Sequence, residues 1–415
     1  MHMLNFLSRY SEQEESIAAL EARITELEKR LNILEIQNRE MQKEQLKAEE
    51  STNNLSEKTV SDSEKKAKKA VVQTEKTDQR KKSKKAIAEE RAAKKKEKYL
   101  MQIMEITGWD RETAEKKIER ALEVAGSSYE HYAIYRFWEL DEETQKTYFT
   151  KRDAVTLRRK YNTDKKMLET LKNKDLCCAK FEPFLGRPWM RIADMTHESF
   201  KEKFVDQKKI IYKPVASSGG HGIRVMEIAD KPMDMVFAEL KALPEGIIEG
   251  YLIQHPLMQQ LSVNSVNTIR IVTLQTKKNF SNLEKDKVYF LYSGIRMGQG
   301  KSYVDNLHSG GLMAAVDVET GTVLTGGVDH KVQVFDVHPD TGAQIKGFTI
   351  PYYQEAKQMI EKASEGVYGL LGWDVAITEN GPVLIEINTS PGADGLQTPY
   401  VPQKKGMRYV IEQYL

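Results

Sequence analysis

The chain has 415 residues, of which 30% are charged and 40% hydrophobic, and its formal net charge at pH 7 is +2. No apolar run approaches the roughly 18 residues that cross a bilayer, which excludes a membrane-spanning helix. The first residues lack a long apolar core and a small-residue cleavage site, so we expect no secretory signal and a cytoplasmic protein. The adjacent cysteines Cys177 and Cys178 suit neither a structural disulfide nor a zinc site. We therefore expect both to be reduced core residues rather than redox groups.

The first predicted element is a coiled coil at residues 17–41. Apolar side chains recur there at alternating spacings of three and four residues, with one polar core position at Asn38. A single core asparagine favours two-stranded parallel pairing. We expect residues 1–48 to form an N-terminal tail and coiled coil that makes a homodimer or binds a partner helix. A lone amphipathic helix packed on its own chain is the alternative.

Residues 49–98 predict a charged, flexible or transiently helical linker. Residues 51–99 hold 16 Lys and Arg against 8 Asp and Glu, a difference of +8, and almost no large apolar side chains. Such a composition cannot bury a core. A basic linker could contact an anionic membrane surface at the inner face of the membrane. The near absence of aromatic residues gives little support for nucleic-acid binding.

Helical periodicity returns over residues 99–165, which predicts a small helical domain. One helix is expected to start at Asp110 and to stop near Gly126, and a second to cover Tyr129 to Leu140. We interpret the aromatic residues of the second helix as a packing face rather than a ligand cage.

Strand-like runs alternate with helical patterns from residue 166 onward, and a glycine-rich loop follows the first clear strand at residues 210–214. Gly219, Gly220 and Gly222 would let backbone amides approach an anion closely. Ser217 and Ser218 could add hydroxyl donors, and Lys213 could reach the same anion. Most such turns only connect strands, so the loop alone is weak support for a phosphate site.

Further along the chain, an apolar run ends in polar residues at a crossover, GYLIQHP, which could offer backbone hydrogen bonds to an adenine edge. Two predicted strands follow, and they carry Arg270 and Arg296. A guanidinium matches phosphate oxygens bidentately, so each arginine could neutralise a phosphate. A surface ion pair is the alternative for either residue.

Residues 372–392 predict a β-hairpin that carries the oxygen-bearing side chains Asp374, Glu386 and Asn388. A three-residue loop ending at Gly381 would place Asp374 opposite Glu386, with Asn388 on the same face. Two opposed carboxylates require a cation, and these ligands suit Mg²⁺; a polar face that meets water is the alternative. The predicted register also pairs Trp373 with Ile387, Val375 with Ile385 and Ile377 with Val383.

Taken together, Lys213 with its SSGGHG loop, the GYLIQHP crossover, and Asp374 with Glu386 and Asn388 resemble the ATP-grasp superfamily. The segments SVNTIRIVTL, VDNLHSGG, HPDTG, GWDVAIT and GPVLIEINTSPG resemble its sugar-transfer-associated branch, which is found with cell-surface polysaccharide biosynthesis. The resemblance covers roughly residues 129–400. The segment LMQQLSVNS lacks the acidic residue that often contacts the ATP ribose.

The resemblance implies an α+β, two-lobed ATP-grasp fold over residues 166–415, with lobes at about 166–255 and 256–415 that hold ATP between them. It implies that one or two Mg²⁺ ions are held by Asp374, Glu386 and Asn388, and that Arg270 and Arg296 stabilise charge during catalysis. The nucleotide-binding residues that it implies are Lys174, Lys213, Ser217, Ser218, Gly219, Gly220, His221, Gly222, Gln254, His255 and Leu257.

The implied activity is that of a carboxylate-amine ligase that works through an acyl phosphate and releases ADP. The substrates would be a sugar-containing or polysaccharide precursor and an amine or amino acid, for example in forming a uronic acid amide. One alternative is a kinase of the same fold that phosphorylates a sugar or polyol hydroxyl. Another is a coiled-coil scaffold whose nucleotide site only binds. His308 and His330 are candidates for an acid or base, although single histidines are more often structural.

Overall fold

The computed structural model describes part of the chain, within which residues 92–415 form one compact unit. The described ranges are residues 89–215, 222–262, 264–300, 302–303, 305–307 and 310–415. The predicted coiled coil at residues 17–41 lies outside them. No helix in these ranges combines the length and the apolar character that a bilayer crossing requires.

The unit begins with a helical region that ends at Tyr161. Its elements are α1 (which includes residues 92–107), α2 (Arg111–Ala125), α3 (Tyr129–Ile134), a 3-10 helix (Phe137–Glu139), α4 (Glu142–Lys146) and α5 (Lys151–Tyr161). Helix α1 includes residues 92–98, which were predicted as part of the linker. Tyr99 lies buried in the same helix, so this end of the linker segment is ordered against the helical region.

The predicted limits of helix α2 are confirmed. The Asp110 carboxylate accepts a hydrogen bond from the Thr113 amide at 2.8 Å, as an N-cap does, and Gly126 ends the helix with a left-handed φ of 68°. The prediction for the next helix was too long. Helix α3 ends at Ile134, because Arg136 adopts a left-handed φ of 51° and turns the chain into a 3-10 helix.

A four-stranded antiparallel sheet with the strand order β1-β4-β2-β3 follows. Its strands are β1 (Trp189–Arg191), β2 (Lys209–Pro214), β3 (Arg224–Glu227) and β4 (Gly246–Gly250). The helices of this part are α6 (Lys165–Lys172), α7 (Lys174–Lys180), a 3-10 helix (Glu182–Phe184), α8 (His197–Phe204) and α9 (Met233–Lys241). Buried side chains of α8 and α9, among them Phe200 and Leu240, pack on Ile210 and Ile248 of this sheet.

A seven-stranded sheet with the order β11-β10-β5-β6-β7-β8-β9 forms the rest of the unit. Its strands are β5 (Thr268–Gln275), β6 (Tyr289–Met297), β7 (Leu312–Val316), β8 (Gly327–Val328), β9 (Val334–Phe335), β10 (Gly369–Thr378) and β11 (Gly381–Asn388). The helices here are α10 (Pro256–Gln259), α11 (Tyr353–Ala363), α12 (Asp394–Gln397), a 3-10 helix (Thr398–Gln403) and α13 (Tyr409–Glu412). The prediction of an α+β fold is confirmed.

One hydrophobic cluster joins helix α7 to the seven-stranded sheet. The ring of Phe181 meets that of Trp373 edge to face, with centroids 6.1 Å apart, and Trp373 is fully buried. Cys177 and Cys178 lie in the same cluster as free thiols, so their prediction as reduced core residues is confirmed. Burial raises the pKa of Cys177 to about 12 and that of Cys178 further still.

Gln397 connects the helical region to the end of the chain. Its side chain is fully buried; the carbonyl oxygen accepts hydrogen bonds from the Phe149 amide at 3.2 Å and the Met407 amide at 2.9 Å. The side-chain amide donates to the Lys405 carbonyl at 2.7 Å. Three backbone groups of two separate segments therefore depend on one side chain.

We expect Gln397→Leu to lower the free energy of unfolding by about 2–4 kcal/mol, because several buried backbone groups lose their partners at once. Urea unfolding at pH 7, followed by circular dichroism, measures the change. Gln413→Leu is the matched control, since Gln413 is exposed; it should alter stability by less than about 0.5 kcal/mol. Equal stabilities for the two variants would contradict the assigned role.

Candidate active site

The hairpin of β10 and β11 places Asp374 directly opposite Glu386, as predicted, and Trp373 opposite Ile387. The predicted loop and the rest of the register were wrong. The loop has two residues, since Thr378 pairs with Gly381, and the next pairs are Ile377 with Pro382 and Val375 with Leu384. A bulge between Asp374 and Val375 then shifts the register. The bulge inserts one extra residue and so returns Glu386 to its place opposite Asp374.

Asp374 is buried, and two arginines from neighbouring strands neutralise its charge. Arg270 contacts both carboxylate oxygens, and its Nη2 lies 2.9 Å from Oδ2. The Nη2 of Arg296 lies 2.7 Å from the same oxygen. Burial alone would raise the pKa of Asp374, but the two guanidinium groups lower it below its ordinary value. The structure thus brings together Asp374 and both arginines predicted from the sequence.

Arg296 extends this network along strand β6. Its Nε donates to the Thr268 hydroxyl at 3.0 Å and lies 3.8 Å from the Asp305 carboxylate. Asp305 also accepts a hydrogen bond from the Thr268 amide at 3.0 Å. Burial raises the pKa of Asp305, and Arg296 opposes this shift. Arg296 is therefore held between two carboxylates, which fixes the direction of its guanidinium.

Glu386 differs from Asp374 because it faces the solvent and has no ion-pair partner among the described residues. The surrounding protein removes part of the water around the Glu386 carboxylate, and this desolvation, together with the nearby negative charge of Asp374, raises the pKa of Glu386. Asn388 donates from its side-chain amide to Asp374 Oδ2 at 3.3 Å. Two carboxylates and an amide oxygen on one face form the kind of donor set that Mg²⁺ accepts. Within the described ranges, no three His, Cys, Asp or Glu side chains converge as a metal site, so Asn388 would have to supply the third protein oxygen.

Lys213 lies on β2 and forms an ion pair with Glu249 of β4, with 2.5 Å between Nζ and Oε2. Arg187 holds the same carboxylate with two nitrogen atoms, at 3.1 and 3.0 Å. Burial would raise the pKa of Glu249, but Arg187 and Lys213 lower it to about 2. Neither Glu249 nor Arg187 was predicted from the sequence. A charged residue inside the apolar strand GIIEG was the available signal.

Lys174 begins helix α7 near this ion pair, and its Nζ donates to the Pro214 carbonyl at 3.2 Å. Burial lowers the pKa of Lys174, while the negative charge of Glu386 acts in the opposite direction. The positive charge of Lys213 in turn opposes the rise in the pKa of Glu386. The two lysines and the hairpin carboxylate therefore act on one another electrostatically, although they come from three separate parts of the chain.

The side chain of Gln254 stabilises the crossover at residues 250–256, which was predicted to contact adenine. The side-chain amide donates to the carbonyls of Ser262 and Ser265, both at 2.8 Å, and its oxygen accepts two hydrogen bonds from Asn267. The side chain of Gln254 is thus occupied within the fold. His255 Nδ1 accepts a hydrogen bond from the Leu257 amide at 3.1 Å, and the Leu257 side chain is exposed.

Several predicted residues lie outside the described ranges, namely Ser217, Ser218, Gly219, Gly220, His221 and His308. Gly222 at the end of the glycine-rich loop has a φ of 76°, and a Cβ there would stand 3.0 Å from the Pro214 ring. Glycine therefore fits this position on both counts. His330 is exposed after strand β8.

Comparison with known proteins identifies one family. Residues 154–413 match the model of a family described as sugar-transfer associated ATP-grasp. No curated protein sequence matches the chain.

Solved structures show more distant similarity. The D-alanine–D-alanine ligase from Bacillus anthracis is 10% identical, with a TM-score of 0.34 over 60% of this chain and 67% of that chain. The ATP-grasp ligase PsnB, complexed with minimal precursor, Mg and ADP, is 14% identical, with a TM-score of 0.34 over 68% and 72%. An ADP complex of N5-carboxyaminoimidazole ribonucleotide synthetase is 9% identical, with a TM-score of 0.33 over 54% of this chain. The match spans 46% of that protein, less than half its length.

We expect Glu249→Gln to destabilise the protein by about 3 kcal/mol at pH 7, because Arg187 and Lys213 would remain buried without their counter-charge. The Glu249 pKa falls from 4.5 to about 2 on folding. Its stabilising effect is therefore present above pH 4.5 and is lost as the pH falls towards 2. Urea unfolding of wild type and variant between pH 7 and pH 3 should show a difference that narrows below pH 4.5.

Glu245→Gln is the control for this prediction. Glu245 is 68% exposed and stands 3.9 Å from its nearest charged partner, Arg191. Its substitution should change stability by less than about 0.5 kcal/mol at any pH. A stability loss in Glu249→Gln that stays constant from pH 7 to pH 3 would contradict the assigned charge state of Glu249.

Proposed function

We propose, because the chain belongs to the sugar-transfer-associated ATP-grasp family, that it is an ATP- and Mg²⁺-dependent ligase that joins a carboxylate to an amine. The observation that carries the proposal is the position of Lys174: it begins a helix that packs on the hairpin strands carrying Asp374 and Glu386, and its Nζ donates to the carbonyl of Pro214, the residue after Lys213. An ATP site needs cations that bind the phosphate oxygens on one side. On the other side it needs oxygen ligands that bind Mg²⁺. We further propose a sugar-containing polysaccharide precursor as the carboxylate substrate, in accord with the family description.

The chain's own lysines would bind the phosphates of ATP. Lys213 is held by Glu249, and Lys174 is held near it by the Pro214 carbonyl. The loop at residues 217–222 would close over the phosphates with its backbone amides and serine hydroxyls. The crossover at residues 254–257 would meet adenine through its backbone and the exposed Leu257, since the Gln254 side chain is committed to the fold.

The hairpin would hold the metal with Asp374, Glu386 and Asn388. When bound, Mg²⁺ would neutralise the phosphate oxygens and keep them in place for the transfer. Arg270 would keep Asp374 in position and ionised, as it does in the structure. Glu386, which has no ion-pair partner in the part of the chain that the structure describes, would supply the exposed carboxylate.

The proposed reaction has two steps. A carboxylate oxygen of the substrate attacks the γ-phosphorus, and the bond to the bridging oxygen breaks, so that ADP leaves and an acyl phosphate forms. The amine nitrogen then attacks the acyl carbon, phosphate leaves with its bonding electrons, and the nitrogen loses a proton. Arg270 and Arg296 would stabilise the negative charge that develops on the transferring group, because both guanidinium groups lie against the metal-binding face.

The association of the protein through residues 17–41 stays a prediction, either as a homodimer or with a partner helix. The use of ATP supports a cytoplasmic location. The kinase and scaffold alternatives differ from the ligase in what they release: a kinase gives a stable phosphorylated sugar without an amine, and a scaffold gives no product.

The purified protein should release ADP and phosphate and form an amide only when carboxylate and amine are both present. Mass spectrometry of uronic acid and amino acid mixtures with ¹⁸O-carboxylate tests this, since acyl phosphate chemistry transfers one ¹⁸O to phosphate. Release of AMP would contradict the proposal. A phosphorylated product that forms without amine would identify the kinase instead.

We expect Glu386→Gln to reduce ADP formation by about 100-fold or more, because the amide removes a charged metal ligand but keeps the shape of the side chain. Glu379→Gln is the matched control, as Glu379 is exposed in the loop of the same hairpin. Its activity should stay within about twofold of wild type. Undiminished turnover in Glu386→Gln would rule out the metal assignment.

A further inference from the structure

We propose that Arg187 is a positioning residue that joins the two sides of the ATP site. It holds Lys213 in place through Glu249, and it holds Glu386 in place through the backbone of Leu384. The proposal rests on the proposed function, since it assumes that Lys213 serves the nucleotide and Glu386 serves the metal.

Arg187 donates three hydrogen bonds, one from Nε and two from Nη1, and its side chain is only 3% exposed. Nε and Nη2 lie 3.1 and 3.0 Å from the two oxygens of Glu249. Nη1 donates to the Leu185 carbonyl at 2.9 Å and to the Leu384 carbonyl at 2.8 Å. The planar guanidinium therefore contacts both the Glu249 side chain of the four-stranded sheet and the Leu384 carbonyl of the seven-stranded sheet.

On the Glu249 side, the consequence is a fixed Lys213. Arg187 donates a hydrogen bond to Oε2 of Glu249 and places a second charged nitrogen 3.0 Å from Oε1, which restricts rotation of the buried carboxylate. Lys213 Nζ lies 2.5 Å from Oε2, the oxygen that also meets Nε of Arg187. A flexible lysine side chain is thus directed by a partner that is itself immobilised.

On the Leu384 side, the contact falls where the hairpin register changes. Leu384 pairs with Val375, and Glu386 pairs with Asp374, so the extra residue of the bulge lies between Leu384 and Glu386. Strand β11 is at the edge of its sheet, and an edge strand presents carbonyl groups without a ladder partner. Arg187 binds one of these carbonyls two residues before the proposed metal ligand. It therefore holds the bulge that turns Glu386 towards Asp374.

Stability alone is a poor explanation for this arrangement. Burying an arginine and a glutamate costs several kcal/mol in lost hydration, and apolar residues of similar volume are often as stable or more so. An apolar pair could not hold both a lysine and a backbone carbonyl at fixed positions. The geometry is thus better suited to placing Lys213 and Glu386 relative to each other than to strengthening the core.

Arg187→Lys tests the proposal because lysine keeps the positive charge against Glu249 but cannot donate to the Glu249 carboxylate and to the Leu185 and Leu384 carbonyls in the same fork geometry. Calorimetry would give the affinity for the ATP analogue AMPPNP in EDTA and again with Mn²⁺. Free Mn²⁺, followed by electron paramagnetic resonance, would give metal binding in the presence of AMPPNP. We expect about a tenfold loss in nucleotide affinity and a separate loss of about tenfold in Mn²⁺ affinity.

Two variants serve as comparisons. Glu249→Gln should weaken AMPPNP in EDTA while leaving Mn²⁺ affinity within twofold, because it loosens Lys213 but leaves Arg187 beside Leu384. Arg191→Lys alters an arginine that is 39% exposed on the nearby strand β1 and should leave both affinities within twofold. Loss of only one affinity, or of neither, in Arg187→Lys would overturn the proposal. Failure of the wild type to bind AMPPNP would instead refute the proposed function.

Hydrogen exchange covers the case in which Arg187→Lys does not fold. AMPPNP without metal should slow amide exchange in residues 383–388 of the wild type, because Lys213 acts on Leu384 through Glu249 and Arg187. The same protection should disappear in Glu249→Gln at saturating nucleotide. If AMPPNP does not change the amide exchange rate of residues 383–388 in the wild type, the proposal is overturned.

Discussion

A carboxylate stays charged inside a protein only where cations or hydrogen-bond donors lie against it, and this requirement organises the whole site. Asp374 is met by Arg270 and Arg296 from two adjacent strands of its own sheet. Glu249 is met by Arg187 and by a lysine of the neighbouring strand. Each buried negative charge therefore gathers side chains that are far apart in sequence. The remaining carboxylate of the hairpin, Glu386, is exposed and has no such cation among the residues that the structure describes.

Elements with local signals could be predicted from the sequence. Helix α2 has its cap at Asp110 and its terminating glycine at Gly126, and both act within one helical turn. The opposition of Asp374 and Glu386 was also foreseen, from the alternation of polar and apolar residues in the two strands. The two-residue loop and the bulge that produce this pairing were not foreseen. Sequence patterning counts residues to the turn, and it cannot tell a longer loop from a shorter loop with a bulge.

Long-range partnerships were beyond the sequence. Arg187 and Glu249 are 62 residues apart, and no pattern in the sequence links one residue to the other. The strands that carry Arg270 and Arg296 were identified from the sequence, but the ion pairs of both arginines with Asp374 were not foreseen. The order of strands in the sheet decides such contacts, and strand order follows from packing of the complete core rather than from any local segment.

The two buried cysteines have a practical consequence for measurements in solution. A thiol reagent reacts with the thiolate, which is the nucleophile, and both groups have raised pKa values because they lie in the core. We therefore expect both thiols to be protonated at neutral pH and, because they are buried, to react slowly with a maleimide dye. A fluorophore pair could thus be attached through introduced surface cysteines, one on each sheet, without removing the natural ones. Energy transfer between the dyes would then report directly on how far the two sheets approach when nucleotide is added.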